Sequence, residues 1–311
     1  MKSASACNLT PTGKRENAYK ALYLRMQEKM PTLGDLPYKQ LKLACMAHLY
    51  SSKAEPRKLF GEDTPELACF YETMDELLPG ANELNYGLVA LWDAQTSAHE
   101  WTLPDGFDVV VKVMDKVEDP VIFNGVEYIM VRKVNQPMKK GRSLGANVIH
   151  SVDGLVVREM GRRCSYAPEA VARVRKDLAS TVCGYSREVD FQLIRVLEAW
   201  RMSGFLSAVV IEYIDAQNAG HLSDEEKRAV LALLDSLPSK TFDLVMVHDC
   251  FRALPGNGNH VRQQYINILA EMADSNMLNY LVGQLSKDRL GVQAPPNELG
   301  NLIRQSNYAI C

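Results

Sequence analysis

Asp249 follows a largely apolar run at 242–247, FDLVMV, that predicts a β-strand. A carboxylate at the end of a strand can point into a cleft, and oxygen atoms are the ligands that Mg²⁺ prefers. The pair His248-Asp249 can instead cap a hairpin without taking part in any chemistry. The residues alone therefore leave a magnesium site and a simple turn as alternatives.

A helix predicted at 38–50 carries a second set of polar residues on one face. Lysines, a methionine and a tyrosine recur there at steps of three or four residues: Lys39, Lys42, Met46, Tyr50 and Lys53. Ammonium groups can bind phosphates, and an aromatic ring two turns later can contact a sugar and base, so this face suits a nucleoside triphosphate. The alternative is a surface helix that keeps its lysines in water and buries Met46.

A third candidate group lies in the segment NVIHSVDGLVV at 147–157, which we interpret as a strand, a polar turn and a second strand. His150 and Asp153 flank the predicted turn. They can bind a nucleic-acid backbone or a base edge, or they can only satisfy the turn itself.

The composition is typical of a soluble globular protein of about two domains: 311 residues, 47% hydrophobic and 23% charged. The formal net charge of −3 gives no overall basic signature for nucleic acid. Basic residues do cluster locally, and we expect these clusters to be solvated surface: Lys139, Lys140 and Arg142; Arg158, Arg162 and Arg163; Arg173, Arg175 and Lys176.

The seven cysteines include no CxxC pair, which argues against a zinc site. Their odd number suits a reducing cytoplasm better than a disulfide framework. The N-terminus lacks the apolar core of a signal peptide, and no apolar run reaches membrane length. We therefore expect a cytoplasmic protein without a membrane span.

The pattern of apolar residues predicts helices packed on antiparallel strands, an α+β fold. Asn124-Gly125 is a strong signal for a hairpin turn between the strands at 107–113 and 126–134, and Pro79-Gly80 should end a helix. Ser223 and Glu226 form a capping-box pattern. Helices are predicted at 15–30, 38–50, 64–79, over most of 166–236, and at 260–274 and 276–286.

Several segments together resemble the single-subunit RNA polymerases of phage and mitochondrial type, in the order in which that family carries them. They cover most of the chain: ACNLTPTGKRENAYKALYLRM (6–26), YKQLKLACMAHLYSSK (38–53), HEWTLPDGFDVVVKV (99–113), NVIHSVDG (147–154) and MVHDCFRALP (246–255). The terminal NYAIC (307–311) is weakly similar to the aromatic-rich end of that family.

The resemblance implies roles for individual residues. Asp249 would bind the catalytic Mg²⁺ ions, Lys42 with Lys39 would contact the triphosphate, and Tyr50 would sense the ribose 2′-OH. His150 would approach the minor-groove side of the base pairs near the active site, with Asp153, Lys139 and Lys140 as further nucleic-acid contacts. The hairpin 114–136 would be a promoter specificity loop.

The resemblance also implies a right-hand polymerase fold, with an antiparallel palm sheet and packed helices. Residues 1–30 would link palm to fingers, 31–85 would form the fingers with the nucleotide-binding helix 38–50, and 86–146 would hold strands and the hairpin. Residues 147–311 would form the palm, with a helical insertion at about 160–236 that lengthens the family's usual spacing between Asp153 and Asp249.

Two single-residue departures from the family accompany these matches. Tyr38 stands where the family has an arginine, so Lys39 would have to replace that phosphate contact. Ser51 stands where the family has a glycine after the tyrosine, which would reduce the room at the template base.

The family's second catalytic aspartate lies just upstream of the segment matched by residues 6–26. We therefore expect a split enzyme, similar to the heterodimeric RNA polymerases of some phages, in which a partner chain supplies that aspartate. Its other partners would be rNTPs, a DNA template, nascent RNA and accessory promoter-recruitment proteins. The alternatives are a family A DNA polymerase fragment, disfavoured because Cys250 replaces that family's glutamate, and a non-catalytic nucleic-acid-binding subunit.

Overall fold

The computed structural model describes residues 2–180, 190–287, 290–292 and 298–306. Two sequence-based predictions fall partly or wholly outside this range: the helical segment 166–236, at 181–189, and the terminal block 307–311. The α-helices are α1 Lys2–Ala6, α2 Ala18–Lys29, α3 Tyr38–Leu49, α4 Ala54–Phe60, α5 Pro65–Leu77, α6 Pro79–Ala90, α7 Ser143–Cys164, α8 Pro168–Ala179, α9 Phe191–Ser203, α10 Val210–Tyr213, α11 Asp224–Ser236, α12 Gly258–Asp274, α13 Met277–Ser286 and α14 Leu299–Gln305.

The strands form small antiparallel sheets among these helices, so the α+β class is confirmed. They are β1 Ala98–Thr102, β2 Asp108–Lys112, β3 Met114–Phe123, β4 Val126–Asn135, β5 Val245–Val247 and β6 Cys250–Arg252. Over the described residues the pairs β1–β2, β3–β4 and β5–β6 stay separate and do not join into one larger sheet. The antiparallel palm sheet of a right-hand polymerase stays a prediction.

The helices predicted near the N-terminus are confirmed, with bounds set by their caps. The Asn17 side chain accepts a hydrogen bond from the backbone N–H of Lys20 at the start of α2, and Thr64 caps α5 in the same way. Pro79 does end α5, but it also begins α6, because proline fits the first turn of a helix. The sequence pattern did not predict α6.

The segment 147–157 is part of the long helix α7, so the predicted strand, turn and strand are wrong. Asp153-Gly154 is a turn signal in isolation, but the buried positions along α7 recur at helical spacing. They are Leu144, Val148, Leu155, Val156, Met160 and Cys164. Burial of this stripe outweighs the cost of a mid-helix glycine, about 1 kcal/mol.

The Asn124-Gly125 turn is confirmed, and both residues have positive φ, 50° and 75°, as a two-residue hairpin turn requires. The strand partners differ from the prediction, because 114–123 is itself strand β3 and pairs with β4, whereas β2 pairs with β1. Pro120 and several charged residues obscure β3 in the sequence, since proline is unusual within a strand.

The helical prediction for 166–236 holds over the described part of that segment, and its helices share a hydrophobic core. The members of that core include Val174, Val196, Val210, Ile214 and Val230. The capping box at the start of α11 is confirmed, with both the Ser223 and Glu226 side-chain bonds formed. The predicted boundaries between fingers and palm stay predictions.

The arginines of α7 lie in ion pairs rather than on a solvated surface, so that expectation is wrong. Arg158 and Arg162 both donate to Asp105, whose side chain is fully buried. Burial alone would raise the pKa of Asp105, but the two guanidinium groups outweigh it and hold the pKa below its ordinary value. These bonds fix the turn after β1 to α7.

Arg163 is buried as well, with 0% of its side chain exposed. It donates to the buried Glu159, and its two terminal nitrogens donate to Glu271 at 2.9 and 2.7 Å. This pair of bonds joins α7 to α12. No helix within the described ranges is both long and apolar enough to cross a membrane.

Candidate functional site

Asp249 lies at the tip of a short hairpin. Strand pairing places Val247 opposite Cys250, so His248 and Asp249 form a two-residue turn. His248 has a φ of 55°, in the left-handed region, and Asp249 is exposed. Of the predicted strand 242–247, only Val245–Val247 is a strand. Phe251 packs on Tyr265 of α12, with 5.6 Å between ring centroids, and so anchors the hairpin.

Tyr50 immediately follows α3, and its ring meets His150, which projects from α7. The ring centroids are 4.8 Å apart, and the planes are inclined by 73°, an edge-to-face contact. Tyr50 is half-buried and His150 is exposed. Two residues singled out separately in the sequence are therefore in direct contact.

Asp153 lies one turn after His150 on α7, within the electrostatic reach of Asp249. Loss of solvation raises the pKa of Asp153, and the negative charge of Asp249 raises it further, against the opposing influence of His150. Burial, Asp153 and Asp249 all raise the pKa of Tyr50. Tyr50, His150, Asp153 and Asp249, called the carboxylate site below, thus share one neighbourhood.

Lys42 lies on the exposed face of α3, with its Nζ atom 5.6 Å from the centre of the Tyr19 ring. Both residues line a cleft of about 610 Å³, together with Arg15 and Tyr38. A second cleft, of about 330 Å³, is lined by Tyr19, Tyr50 and other residues. Because Tyr19 borders both clefts, it connects Lys42 to the carboxylate site.

Arg15 lines the same cleft as Lys42, whereas Lys39 is exposed on α3 and does not line it. Tyr38, which also lines the cleft, accepts a hydrogen bond from Asn17 at 3.2 Å. The cleft therefore has two cationic side chains, and the second comes from the segment before α2. The proximity of Arg15 and the bridging position of Tyr19 were both missed in the sequence, although both residues lie in the matched block 6–26.

Lys139 and Lys140 are exposed in the loop between β4 and α7. The loop is held by Trp92, whose Nε1 donates to the carbonyl of Met138 at 2.8 Å. Gly141 lies so close to the Trp92 ring that an added Cβ would be 2.3 Å from it. The described residues show no ion pair or hydrogen bond between either lysine and the carboxylate site.

Ser51 has a φ of 63°, a conformation that favours glycine. Its hydroxyl donates to the side-chain oxygen of Asn85, and Asn85 donates in turn to the carbonyl of His48 at 3.1 Å. Asn85 of α6 thus supplies an acceptor for the serine hydroxyl at this position. These bonds fix the chain direction directly after Tyr50.

A divalent cation has a suitable donor pair in Asp153 and Asp249, because carboxylate oxygens are hard ligands. Loss of solvation is the main reason that the pKa of Asp153 is raised, and the charge of Asp249 adds to it; a cation between the two carboxylates would relieve that added repulsion. Within the described ranges, however, no group of three or more histidine, cysteine, aspartate or glutamate side chains is arranged to hold a metal. A Mg²⁺ ion at these two carboxylates would have to take its remaining ligands from phosphates and water.

No model of a known protein family matches the chain, and no curated protein sequence matches it significantly. Function is therefore inferred from the residues and their geometry.

Proposed function

We propose that the chain is a subunit of a Mg²⁺-dependent, DNA-directed RNA polymerase that transfers nucleotides from rNTPs to an RNA 3′-OH. The observation that carries the proposal is the meeting of Tyr50, His150, Asp153 and Asp249 beside the Lys42 cleft. These residues come from three distant parts of the chain. Such a convergence of aromatic, cationic and carboxylate groups suits a metal-bound nucleoside triphosphate.

The triphosphate would bind in the cleft that Arg15 and Lys42 line. Two cationic side chains in one cleft can each contact a phosphate oxygen, and arginine adds a planar pair of donors. Lys39 would add charge at the mouth of the cleft without touching the phosphates. Tyr19 and Tyr38, whose rings meet edge to face, would form the apolar wall.

The sugar would lie against Tyr50, whose hydroxyl is the polar group that can bond a ribose 2′-OH there. The contact with His150 fixes the ring, so that Tyr50 does not have to be ordered when the nucleotide binds. His150 would face the nascent base pair, while Lys139 and Lys140 would attract the template backbone from the exposed loop.

Asp249 and Asp153 would hold the metal together with the phosphates. When bound, Mg²⁺ would activate the attacking 3′-OH and stabilise charge on the leaving pyrophosphate. Two metals need a further carboxylate, which we propose comes from a second chain. The β5–β6 hairpin supports this, because Val245, Met246 and Val247 are all exposed and apolar and could receive another strand.

The proposed setting is the cytoplasm, where a DNA template, nascent RNA and accessory promoter-recruitment proteins would be the other partners. The five cysteines that the structure describes all carry free thiols, which suits a reducing compartment.

The proposal is tested by RNA synthesis on a primed DNA template, with the enzyme purified together with its natural partners through a tag on this chain. Asp249→Asn should abolish Mg²⁺-dependent incorporation of rNTPs. Asp243→Asn, an exposed aspartate just before the same hairpin, is the matched control and should keep full activity. Undiminished synthesis by Asp249→Asn would contradict the proposal, and a preference for dNTPs would favour a DNA polymerase instead.

A further inference from the structure

The β3–β4 hairpin exposes an unusual amount of apolar surface. Ile122, Phe123 and Ile129 are 77%, 64% and 66% exposed, and β4 is exposed on both faces over most of its length. Long, exposed and apolar strand edges are rare in folded proteins, because their free N–H and C=O groups pair with other strands. This hairpin is therefore a candidate docking surface.

The two edges of the hairpin differ. Strand β3 contains Pro120, which has no N–H to donate, and four charged residues: Asp115, Lys116, Glu118 and Asp119. Strand β4, VEYIMVRKVN, has neither proline nor glycine. Both strands carry charged residues, but only β3 lacks a backbone N–H, at Pro120, so the edge of β3 is protected and the edge of β4 is open.

The turn determines which groups of β4 face outward. In a two-residue turn with positive φ at Asn124 and Gly125, the closing pair Phe123 and Val126 exchanges both backbone hydrogen bonds. Hydrogen-bonded and non-hydrogen-bonded pairs alternate along the ladder from this closing pair. The odd-numbered residues of β4 from 127 to 133 therefore direct their N–H and C=O groups outward. Pro120 lies opposite Ile129, at a pair without ladder bonds, which agrees with this assignment.

Two charges on β4 have no opposite charge across their own hairpin. Glu127 lies opposite Ile122, and Lys133 lies opposite Lys116, a like charge. Among the described residues neither forms an ion pair, whereas Arg132 is paired with Asp119. Cross-strand like charges are unfavourable, so Lys133 gains from a new acidic neighbour.

We propose that β4 is a self-association edge, which pairs antiparallel with β4 of a second copy of this chain about a two-fold axis at Met130. In this register Glu127 of each copy faces Lys133 of the other copy, and Ile129 of each copy faces Val131 of the other. The outward-facing residues pair only with each other, as the backbone pattern requires. A shift by two residues would place Glu127 opposite Val131 or Asn135, so only this register matches opposite charges.

A nucleic acid fits the outer half of the hairpin poorly. From Pro120 to Met130 there is no lysine or arginine, and Glu127 is the one charged residue. Nucleic-acid binding depends on cations that neutralise phosphates. Because Pro120 blocks the opposite edge, the pairing of two β4 strands closes as a dimer and does not continue into a filament.

Analytical ultracentrifugation of the full chain tests the proposal independently of any polymerase activity. The wild-type chain should show a reversible, concentration-dependent monomer–dimer equilibrium. Glu127→Lys and Lys133→Glu each turn two attractions into two repulsions, so each should weaken dimerisation about tenfold or more. Glu100→Lys, with the same change of charge at an exposed position of β1, should leave dimerisation unchanged.

The double variant Glu127→Lys/Lys133→Glu should regain wild-type affinity, because the opposite charges face each other again. An equimolar mixture of the two single variants should form a heterodimer for the same reason. The proposal would be overturned if the wild-type chain were monomeric at all concentrations, or if dimerisation were unchanged in the single variants. It would also be overturned if neither the double variant nor the mixture restored dimerisation.

Discussion

The ring of Tyr50 contacts the ring of His150 edge to face, with 4.8 Å between their centroids, and this contact joins the end of α3 to the middle of α7. Asp153 lies one helical turn further along α7 and is coupled to Asp249. The contact therefore links the residue proposed to read the sugar to the residues proposed to hold the metal. The sugar-reading role and the metal-holding role can be tested separately.

Tyr50→Phe should raise the use of dNTPs relative to rNTPs. The substitution keeps the ring and its contact with His150 but removes the hydroxyl that would bond the 2′-OH. A hydrogen bond of this kind contributes about 0.5–1.5 kcal/mol, which corresponds to roughly a two- to tenfold change in discrimination. The ratio of kcat/KM for the two nucleotide classes measures it. Lys42→Ala is the control and should weaken both classes alike; an unchanged ratio in Tyr50→Phe would contradict the sugar-reading role.

Asp153→Asn should raise the free energy of unfolding at pH 7. The pKa of Asp153 is higher in the folded state than in the unfolded state. Asp153 therefore favours folding at pH values below its unfolded pKa, about 3.9. This contribution is lost as the pH rises through the folded-state pKa. The gain from Asp153→Asn should therefore be present at pH 7 and shrink near pH 3.5. Urea unfolding at both pH values measures it.

Asp249→Asn should also raise the free energy of unfolding at pH 7, by part of the amount gained with Asp153→Asn. It removes a negative charge that helps to raise the pKa of Asp153. The effects of the two substitutions should then be less than additive. A gain of equal size at both pH values would show that electrostatic repulsion is not its cause.

Ser51→Ala should destabilise the fold more than Ser51→Gly. Both substitutions remove the hydrogen bond to Asn85, worth about 0.5–1.5 kcal/mol. Only glycine also relieves the left-handed conformation, which costs a residue with a side chain roughly 1–2 kcal/mol. Ser51→Gly should thus be close to neutral in urea unfolding. If alanine were tolerated as well as glycine, the positive φ at this position would be wrong.

Arg163→Met should cost about 3–5 kcal/mol of unfolding free energy, because it leaves the buried Glu159 without a main partner. Arg175→Met is the matched control, since the ion pair of Arg175 with Asp235 is exposed and should contribute about 1 kcal/mol or less. Adding Glu159→Gln to Arg163→Met should recover part of the loss. Equal losses at Arg163 and Arg175 would contradict the buried network.

The sequence predicted the helices with clear apolar periodicity and caps, such as α2, α3, α11 and α12, because local signals and burial agree there. It failed at α7, where a local turn signal at Asp153-Gly154 opposes the tertiary burial of Leu155 and Met160, and burial decides. The hairpin 114–136 implied by the resemblance coincides with β3 and β4, but the apolar pattern alone missed β3, because Pro120 is compatible with an outer edge that this pattern does not identify.

The candidate site was predictable as a set of residues but not as a geometry. Tyr50, His150 and Asp249 were each singled out from their local patterns, yet their proximity depends on how α3, α7 and the β5–β6 hairpin pack. Arg15 and Tyr19 both fall within the predicted helix 15–30, and neither was singled out there as a ligand contact. Their place beside Lys42 follows only from the tertiary structure.

Iron-mediated cleavage tests most directly whether these residues form one metal and nucleotide site. Fe²⁺ in place of Mg²⁺, with an rNTP and hydrogen peroxide present, reduces the peroxide to hydroxide and hydroxyl radicals, and these radicals cut the backbone close to the metal. The account predicts cuts clustered near Tyr50, His150–Asp153 and Asp249, which excess Mg²⁺ suppresses and Asp249→Asn abolishes. Cuts confined to other segments, or cuts at these three that persist in Asp249→Asn, would contradict it.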